Sequence, residues 1–188
     1  MKKLEIIGFK RANLGKKDAQ QLRLEASVPC VLYGGKEVAH FHVPMILFRE
    51  LVYTPEAHIV ILNIEGEIRE AMLQDIQFHP VNEMILHADF LELHNDRPVK
   101  IAVPTKVTGV STGVQQGGRL VLKAKKMTVR ALPANLPDSI TVDITGLELG
   151  KSIKVKDLTV EGFEIMDAPN NAVLSIEVPR GLKGKQQA

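Results

Sequence analysis

The alternation of apolar and polar residues predicts β-strands over most of this chain, and the clearest one covers residues 84–93. No Gly or Pro interrupts the alternation there. Successive side chains of a strand point to opposite faces. The side chains expected on the core face are those of Met84, Leu86, Ala88 and Phe90. His87 and Asp89 are then expected together on the other face, where a partner can reach them.

The rest of the first half is predicted to contain more strands and two short helices. The strands are expected over residues 4–11, 28–33, 36–43, 59–64 and 68–78. One helix is expected over residues 16–26, because no β-branched residue occurs there and Ala19, Leu22 and Ala26 recur at helical spacing. Arg23 follows Leu22 and is expected at the edge of that buried stripe. A second helix is expected over residues 45–53, after Pro44.

The second half shows no convincing amphipathic helix, and short apolar runs are separated by Gly, Pro, Asn and Asp. These runs predict strands over residues 99–107, 118–122, 127–131, 139–144, 153–155 and 172–178. This spacing favours a β-sandwich or an open antiparallel β domain. The Gly-rich segment 109–118 lacks a Gly-Lys-Ser/Thr ending, so it is expected to be a tight loop with positive φ rather than a phosphate-binding loop.

Two domains and a tail are expected from these patterns. The polar run 94–98 resembles a boundary, so we predict a first domain over 1–94 and a β-rich second domain over 95–180. Residues 181–188 contain few apolar groups and are expected to be a mobile basic tail.

The net charge of +2 conceals an uneven distribution of charged residues. Residues 1–36 carry eight Lys and Arg residues against three carboxylates, whereas residues 37–94 carry two Arg residues against ten carboxylates. A basic surface on a balanced protein points weakly to a polyanionic partner. The alternative is that these Lys and Arg residues only keep one face solvated.

Composition argues against several classes of function. Cys30 is the only cysteine, so no intrachain disulfide and no cysteine zinc cluster can form, and a reducing cytoplasm fits best. No apolar run suggests a membrane span or a signal peptide. His40 and His42 share a strand face, and His79 could join His87 and Asp89, but the spacing fixes no complete set of metal ligands. We therefore expect no metal, no cofactor, no small-molecule substrate and no enzyme.

Five polar residues remain without a structural explanation: Arg11, Arg23, Tyr33, His87 and Asp89. Arginine can fork onto phosphate or guanine, and tyrosine can stack on a base. A carboxylate repels phosphate, so Asp89 makes sense in such a set if it accepts from a base amino group or a 2′-hydroxyl, or if it orients Arg11 or His87. The set suggests RNA recognition. A surface salt bridge between Asp89 and a nearby Arg is an equally good explanation from composition alone.

Several separated motifs resemble a bacterial ribosomal family, the large-subunit 5S-rRNA-binding proteins of the general stress protein CTC type. Leu22-Arg23 followed by residues 28–35, Val-Pro-Cys-Val-Leu-Tyr-Gly-Gly, is similar to its "Leu-Arg … Pro-Ala-Val-Ile-Tyr-Gly" signature. Residues 87–90, His-Ala-Asp-Phe, resemble its "His-Val-Asp-Phe" strand. Residues 109–120 and 136–158 resemble its later Gly-rich and long motifs, so the resemblance covers nearly the whole chain.

The resemblance implies a mainly β fold, with α+β character in the first domain. That domain would be a small β-barrel with two or three short helices, similar to the anticodon-binding barrel of glutaminyl-tRNA synthetase. It would bind the loop E region of 5S rRNA on a widened minor-groove face, and the second domain would lie near other large-subunit components. The expected RNA-binding residues, by motif and charge together, are Lys10, Arg11, Lys16, Lys17, Arg23, Tyr33, His87 and Asp89.

The chain departs from the family pattern after Arg23. The family often has a second Arg and then Gly-Lys, whereas residues 24–27 here are Leu-Glu-Ala-Ser. The loss of two positive charges predicts weaker phosphate attraction, since each phosphate contact contributes about one unit to the salt dependence of binding. Selection of the RNA should survive, because base and shape contacts determine it. The alternative function from another class is a protein-interaction or stress-adaptor module with only generic affinity for RNA.

Overall fold

The computed structural model describes residues 1–160 and 162–179 and divides the chain into two compact units. The first unit is Met1–Val99, and the second begins at Lys100. The expected mobile tail, residues 181–188, lies outside the described residues.

The first unit is a six-stranded closed barrel, with strands in the order β1-β3-β2-β6-β5-β4. Its strands are β1 (Lys2–Lys10), β2 (Ser27–Tyr33), β3 (Ala39–Pro44), β4 (His58–Ile64), β5 (Glu67–Phe78) and β6 (Ile85–Glu92). The predicted strands all form. The barrel closes through two parallel pairs, β1 with β4 and β2 with β6, whereas its other pairs are antiparallel. Closure leaves no open edge on the sheet.

Three phenylalanine rings fill much of the barrel interior. The Phe90 ring centroid is 5.8 Å from that of Phe41 and 6.2 Å from that of Phe48, and all three side chains are fully buried. Cys30 is also fully buried among apolar neighbours, so the prediction that it is a small core residue is confirmed. Because Cys30 of β2 and Phe90 of β6 face the barrel interior, the residues next to them in each strand face outward.

The first helix is shorter than predicted. Helix α1 covers Lys16–Leu24, and Ala26 has a φ of +56°, outside the helical region. The predicted stripe of Ala19, Leu22 and Ala26 is wrong in detail, because no residue of α1 is fully buried and Ala26 is exposed. The second predicted helix is a 3-10 turn at Met45–Phe48 followed by α2 at Arg49–Tyr53.

Strand β6 departs from simple alternation at its start. Ile85 is buried, Leu86 is only partly buried, and the pairing with β5 shifts between Gln77 and Phe78. The expectation that Met84 and Leu86 face the core is therefore wrong, because an irregularity in the register puts Ile85 in the core instead. Ala88 and Phe90 are buried as expected.

The second unit contains two small sheets over a common apolar core, and the predicted fold class is confirmed. Its strands are β7 (Val99–Thr108), β8 (Arg119–Leu122), β9 (Lys126–Ala131), β10 (Ile140–Asp143), β11 (Ser152–Lys154), β12 (Glu164–Ile165) and β13 (Ala172–Glu177). One sheet has the order β10-β7-β9-β12, and the other has the order β11-β13-β8. The β10–β7 pair is parallel, which the sequence did not predict.

The Gly-rich loop contains one helical turn, α3 (Thr112–Gln115), which was also not predicted. Gly109 and Gly117 have positive φ, as expected for a tight loop. Gly113 has a different role, since a Cβ there would stand 2.7 Å from the Glu148 carbonyl carbon and from the Leu149 nitrogen. The loop therefore needs glycine partly for close packing against the segment 147–150.

Candidate nucleic-acid interface

The outward face of β2, β6 and β5 brings the central candidate residues together. Asp89 pairs with Val31 of β2 on one side and with Asp75 of β5 on the other. His87 pairs with Gln77 of β5. Because directly paired residues project to the same side of a sheet, these side chains form one continuous polar surface.

His87 and Asp89 form the clearest contact on this surface. The His87 Nδ1 atom lies 2.8 Å from Asp89 Oδ1, and the side chains are 26% and 34% exposed. The two groups form an ion pair when the imidazole is protonated, and Nε2 is the ring nitrogen that is left to meet a partner. Asp89 therefore lies where it can orient His87, one of the two roles considered for it above. No Arg is within ion-pair distance of Asp89 among the described residues.

Tyr33 ends β2 beside the same carboxylates. Burial raises the pKa of its hydroxyl, and Asp89 and Asp75 raise it further. Burial also raises the pKa of the Cys30 thiol, which Asp89 raises further and Arg11 lowers. Asp89 thus acts on both Tyr33 and Cys30, whereas Arg11 acts on Cys30. The phenol remains a neutral hydrogen-bond donor at neutral pH.

Arg11 connects the end of β1 to helix α1. Its Nη2 atom donates to Asp18 Oδ2 at 2.7 Å and its Nε donates to the same oxygen at 3.2 Å. The Arg11 side chain is only 10% exposed. The remaining Nη1 group can still donate to another acceptor, so Arg11 can position α1 and contact a partner at once.

Arg23 attaches the other end of α1 to the barrel. Its Nε donates to the Leu86 carbonyl oxygen at 3.0 Å. That carbonyl belongs to the irregular start of β6, immediately before His87, so the terminal amino groups of Arg23 lie next to the polar surface. The residue at the register shift of β6, Leu86, thus provides the carbonyl oxygen that accepts from Arg23.

The three candidate lysines differ in their surroundings. Lys10 Nζ lies 2.9 Å from Glu67 Oε1, and this hydrogen bond raises the pKa of the lysine and lowers that of the glutamate. Lys10 and Arg11 also line a shallow cleft of about 270 Å³ with His40. Lys16 and Lys17 are exposed in the first turn of α1 and form no ion pair with the described residues. They are the more available cations.

Sequence reasoning missed three residues of this region. Asp75 and Gln77 of β5 face Asp89 and His87, and Asp18 holds Arg11. Their alternation within β5 is visible in the sequence, but their neighbours become apparent only when β5 is paired with β6. Because the register shifts between Leu73 and Asp75, pairing β5 with β6 by regular alternation would not have placed Asp75 opposite Asp89.

Two of the histidines considered for metal binding make other contacts. The His42 ring stacks against Phe9 with centroids 5.5 Å apart, and His79 Nδ1 accepts from the Val81 and Asn82 amides. Among the described residues, no group of three or more His, Cys, Asp or Glu side chains is arranged to hold a metal ion. No helix in the described part of the chain is long and apolar enough to span a membrane.

Comparison with known proteins adds an independent finding. Residues 6–90 match the family model for the ribosomal L25p family, and residues 98–180 match that for the C-terminal domain of ribosomal protein TL5. The two matches coincide with the barrel and with the two-sheet unit.

Curated relatives are similar along the whole chain. The large ribosomal subunit protein bL25 of Cytophaga hutchinsonii is 50% identical over 188 residues, which is 100% of this chain and 98% of the relative. The protein of the same name from Amoebophilus asiaticus is 49% identical over 183 residues, covering 97% of this chain and 93% of the relative. That from Phocaeicola vulgatus is 44% identical, covering 98% and 96%.

Proposed function

The chain belongs to the ribosomal L25p family, and on that premise we propose that its barrel binds 5S rRNA at the loop E region. As a family member it is a structural protein of the bacterial large ribosomal subunit, in the cytoplasm, and not an enzyme. The 5S rRNA, the loop E region and the residues that bind them are our proposal.

The observation that carries this proposal is the His87–Asp89 contact on the outward face of β6, in which His87 Nδ1 lies 2.8 Å from Asp89 Oδ1. A carboxylate is unfavourable on a surface that binds RNA only through charge, since it repels phosphate. Here Asp89 orients His87 and still has a second oxygen that can accept from a base amino group or a 2′-hydroxyl. Those acceptor contacts distinguish a particular RNA groove from a generic polyanion.

The cations provide attraction and position around this pair. Lys16 and Lys17 extend from the first turn of α1 and contribute phosphate contacts, with Lys10 at the adjoining end of β1. Arg11 and Arg23 hold the two ends of α1 against the barrel and offer their remaining N–H groups. Tyr33 supplies a hydroxyl donor or a ring face beside Asp89. On this proposal residues 1–94 form the RNA-binding domain.

A competition experiment with the full chain tests the proposal. Binding to 5S rRNA is measured at two salt concentrations, with tRNA as competitor, for the natural chain and for Asp89→Asn. Loss of one specific contact predicts affinity about tenfold weaker for Asp89→Asn, although the variant removes a negative charge. Glu50→Gln, which neutralises an exposed carboxylate on α2, is the matched control and should leave binding unchanged.

Two results would contradict the proposal. If tRNA displaces 5S rRNA as readily as 5S rRNA displaces itself, the barrel has only generic RNA affinity. If Asp89→Asn binds as tightly as Glu50→Gln or more tightly, the Asp89 carboxylate makes no favourable contact with RNA.

A further inference from the structure

The sheet β10-β7-β9-β12 of the second unit has one apolar face and one basic face. On β7 and β9 the inward side chains include Val103, Met127 and Val129, which are fully buried. The alternate residues therefore point away from the core, and they include Lys106 on β7 and Lys126 and Arg130 on β9. We call the outward side of this sheet the basic sheet face.

Backbone contacts bring the cations of the two strands near one another. The Thr105 amide donates to the Lys125 carbonyl oxygen at 3.0 Å, so the start of β9 lies beside the middle of β7. Lys106 follows Thr105 and Lys126 follows Lys125, which places two outward lysines on neighbouring strands. Lys106 also pairs with Thr141 of β10.

Among the described residues, three carboxylates adjoin these strands, and none of them forms an ion pair with the outward cations. Asp167 Oδ2 accepts from the Thr128 amide of β9 at 3.1 Å. Asp143 at the end of β10 is occupied, because its Oδ1 accepts from the Thr145 amide at 2.9 Å and from the Thr145 hydroxyl at 2.6 Å. Glu164 of β12 pairs with Arg130 in the register, but no ion pair joins them. Within the described part of the chain, none of the outward cations of β7 and β9 forms an ion pair.

We propose that the basic sheet face binds the sugar–phosphate backbone of ribosomal RNA. Uncompensated lysines and an arginine on a rigid sheet attract a polyanion, and the hydroxyls of Thr128 and Thr141 between them are phosphate donors. The outward positions of β7, β9 and β10 carry no aromatic side chain for base stacking. This face therefore positions the second unit on RNA without reading sequence. It acts in addition to the barrel, which alone carries the 5S recognition proposed above.

Salt-dependent binding of full-length variants tests this inference. The double variant Lys106→Gln/Lys126→Gln is compared with Lys151→Gln/Lys156→Gln, which removes two exposed lysines of the same unit outside this sheet. Affinity for protein-free 23S rRNA and for 5S rRNA is measured at several salt concentrations. Each lost phosphate contact lowers the slope of log affinity against log salt by about 0.9, so the sheet variant should lose about two units of slope for one of these RNAs.

The outcomes separate this inference from the function proposed for the barrel. Equal loss of slope in both double variants would overturn it, because charge alone would then explain binding. A sheet variant that binds both RNAs normally but loses affinity for polyglutamate would overturn it in favour of an acidic protein partner. The 5S-specific effect of Asp89→Asn is measured separately, so failure of the barrel proposal would be recognised on its own.

Discussion

Arg11 and Asp18 join two elements that the sequence separates by a loop. Two N–H groups of the Arg11 guanidinium donate to one oxygen of Asp18, at 2.7 and 3.2 Å, and thereby hold the first turn of α1 against the end of β1. The arginine side chain is 10% exposed and the aspartate 34%. A contact so shielded is more than a solvated surface pair.

Asp18→Ala should lower the stability of the barrel. It leaves the shielded guanidinium without its acceptor, and hydrogen bonds to charged groups contribute about 1–3 kcal/mol. We expect a loss of that size in the free energy of unfolding, measured by urea unfolding followed by circular dichroism. The affinity for 5S rRNA should also fall, because Lys16 and Lys17 are on the helix that is released.

Glu50→Ala is the matched control for this prediction, since it removes an exposed carboxylate of the same unit that lies outside the cleft of Lys10 and Arg11. It should leave both stability and RNA affinity unchanged. Tighter RNA binding by Asp18→Ala would show that Asp18 competes with RNA for Arg11 rather than positioning α1.

Tyr33 offers a direct probe of the charges on the polar surface. The chain has two tyrosines and no tryptophan, so Tyr53→Phe leaves Tyr33 as the sole phenol to titrate by absorbance. Burial, Asp89 and Asp75 raise the pKa of Tyr33 above 10.0. In this background Asp89→Asn and Asp75→Asn should each lower the pKa, whereas Glu37→Gln should leave it in place.

The sign of the effect on stability follows from the same shift. A raised pKa means that the folded chain holds the phenolic proton more tightly than the unfolded chain does. The stabilisation is fully present below pH 10.0 and is lost as the pH rises through the raised value. The free energy of unfolding should therefore fall as the pH rises above 10.0. If the Tyr33 pKa changes in neither aspartate variant, Tyr33 is not part of the proposed polar surface.

The local sequence pattern was sufficient to predict the strands, but not to predict which residues of neighbouring strands lie opposite one another. Alternation predicted β2, β4, β5 and β6 because each has one buried face, and the resemblance implied a barrel. The pairings that bring Asp75 and Gln77 to Asp89 and His87 depend on register, and the bulges in β5 and β6 change that register. A bulge is set by packing around it, and periodicity does not encode it.

Helix α1 shows a second limit of sequence reasoning. Residues 16–26 have good helix propensity, yet the helix ends at Leu24. Ala26 has positive φ, and its carbonyl oxygen accepts from the Met45 amide at 2.9 Å rather than from a residue of the helix. Tertiary hydrogen bonding overrides propensity here. The candidate residues of the site were found from chemistry and resemblance, but the role of Arg11 and Arg23 in holding α1 required the structure.

Ala26→Gly should stabilise the first unit. Ala26 has a φ of +56°, which is in the left-handed region. This conformation destabilises an L-residue with a Cβ atom by about 1 kcal/mol, whereas glycine adopts it without that penalty. The same change at Ala19, in the middle of α1, should instead destabilise by about 1 kcal/mol, because helical φ gives glycine no advantage. Urea unfolding of the two variants should therefore shift in opposite directions. Parallel shifts would show that Ala26 is not held in the left-handed region.

Gly113→Ala should destabilise the second unit although Gly113 is in a helical turn, where alanine usually improves stability. The added Cβ would stand 2.7 Å from backbone atoms of Glu148 and Leu149, and backbone cannot move aside as a flexible side chain can. Overpacking of this kind costs about 1–3 kcal/mol. Val114→Ala, which shortens an exposed side chain in the same helical turn, is the matched control and should change stability by less than about 0.5 kcal/mol. Hydrogen exchange of the Gly113 amide, which donates to the Leu147 carbonyl at 2.9 Å, reports the same loosening locally. If Gly113→Ala unfolds at the same urea concentration as Val114→Ala and that amide stays protected, close packing against the segment 147–150 is not the reason why the loop has glycine at position 113.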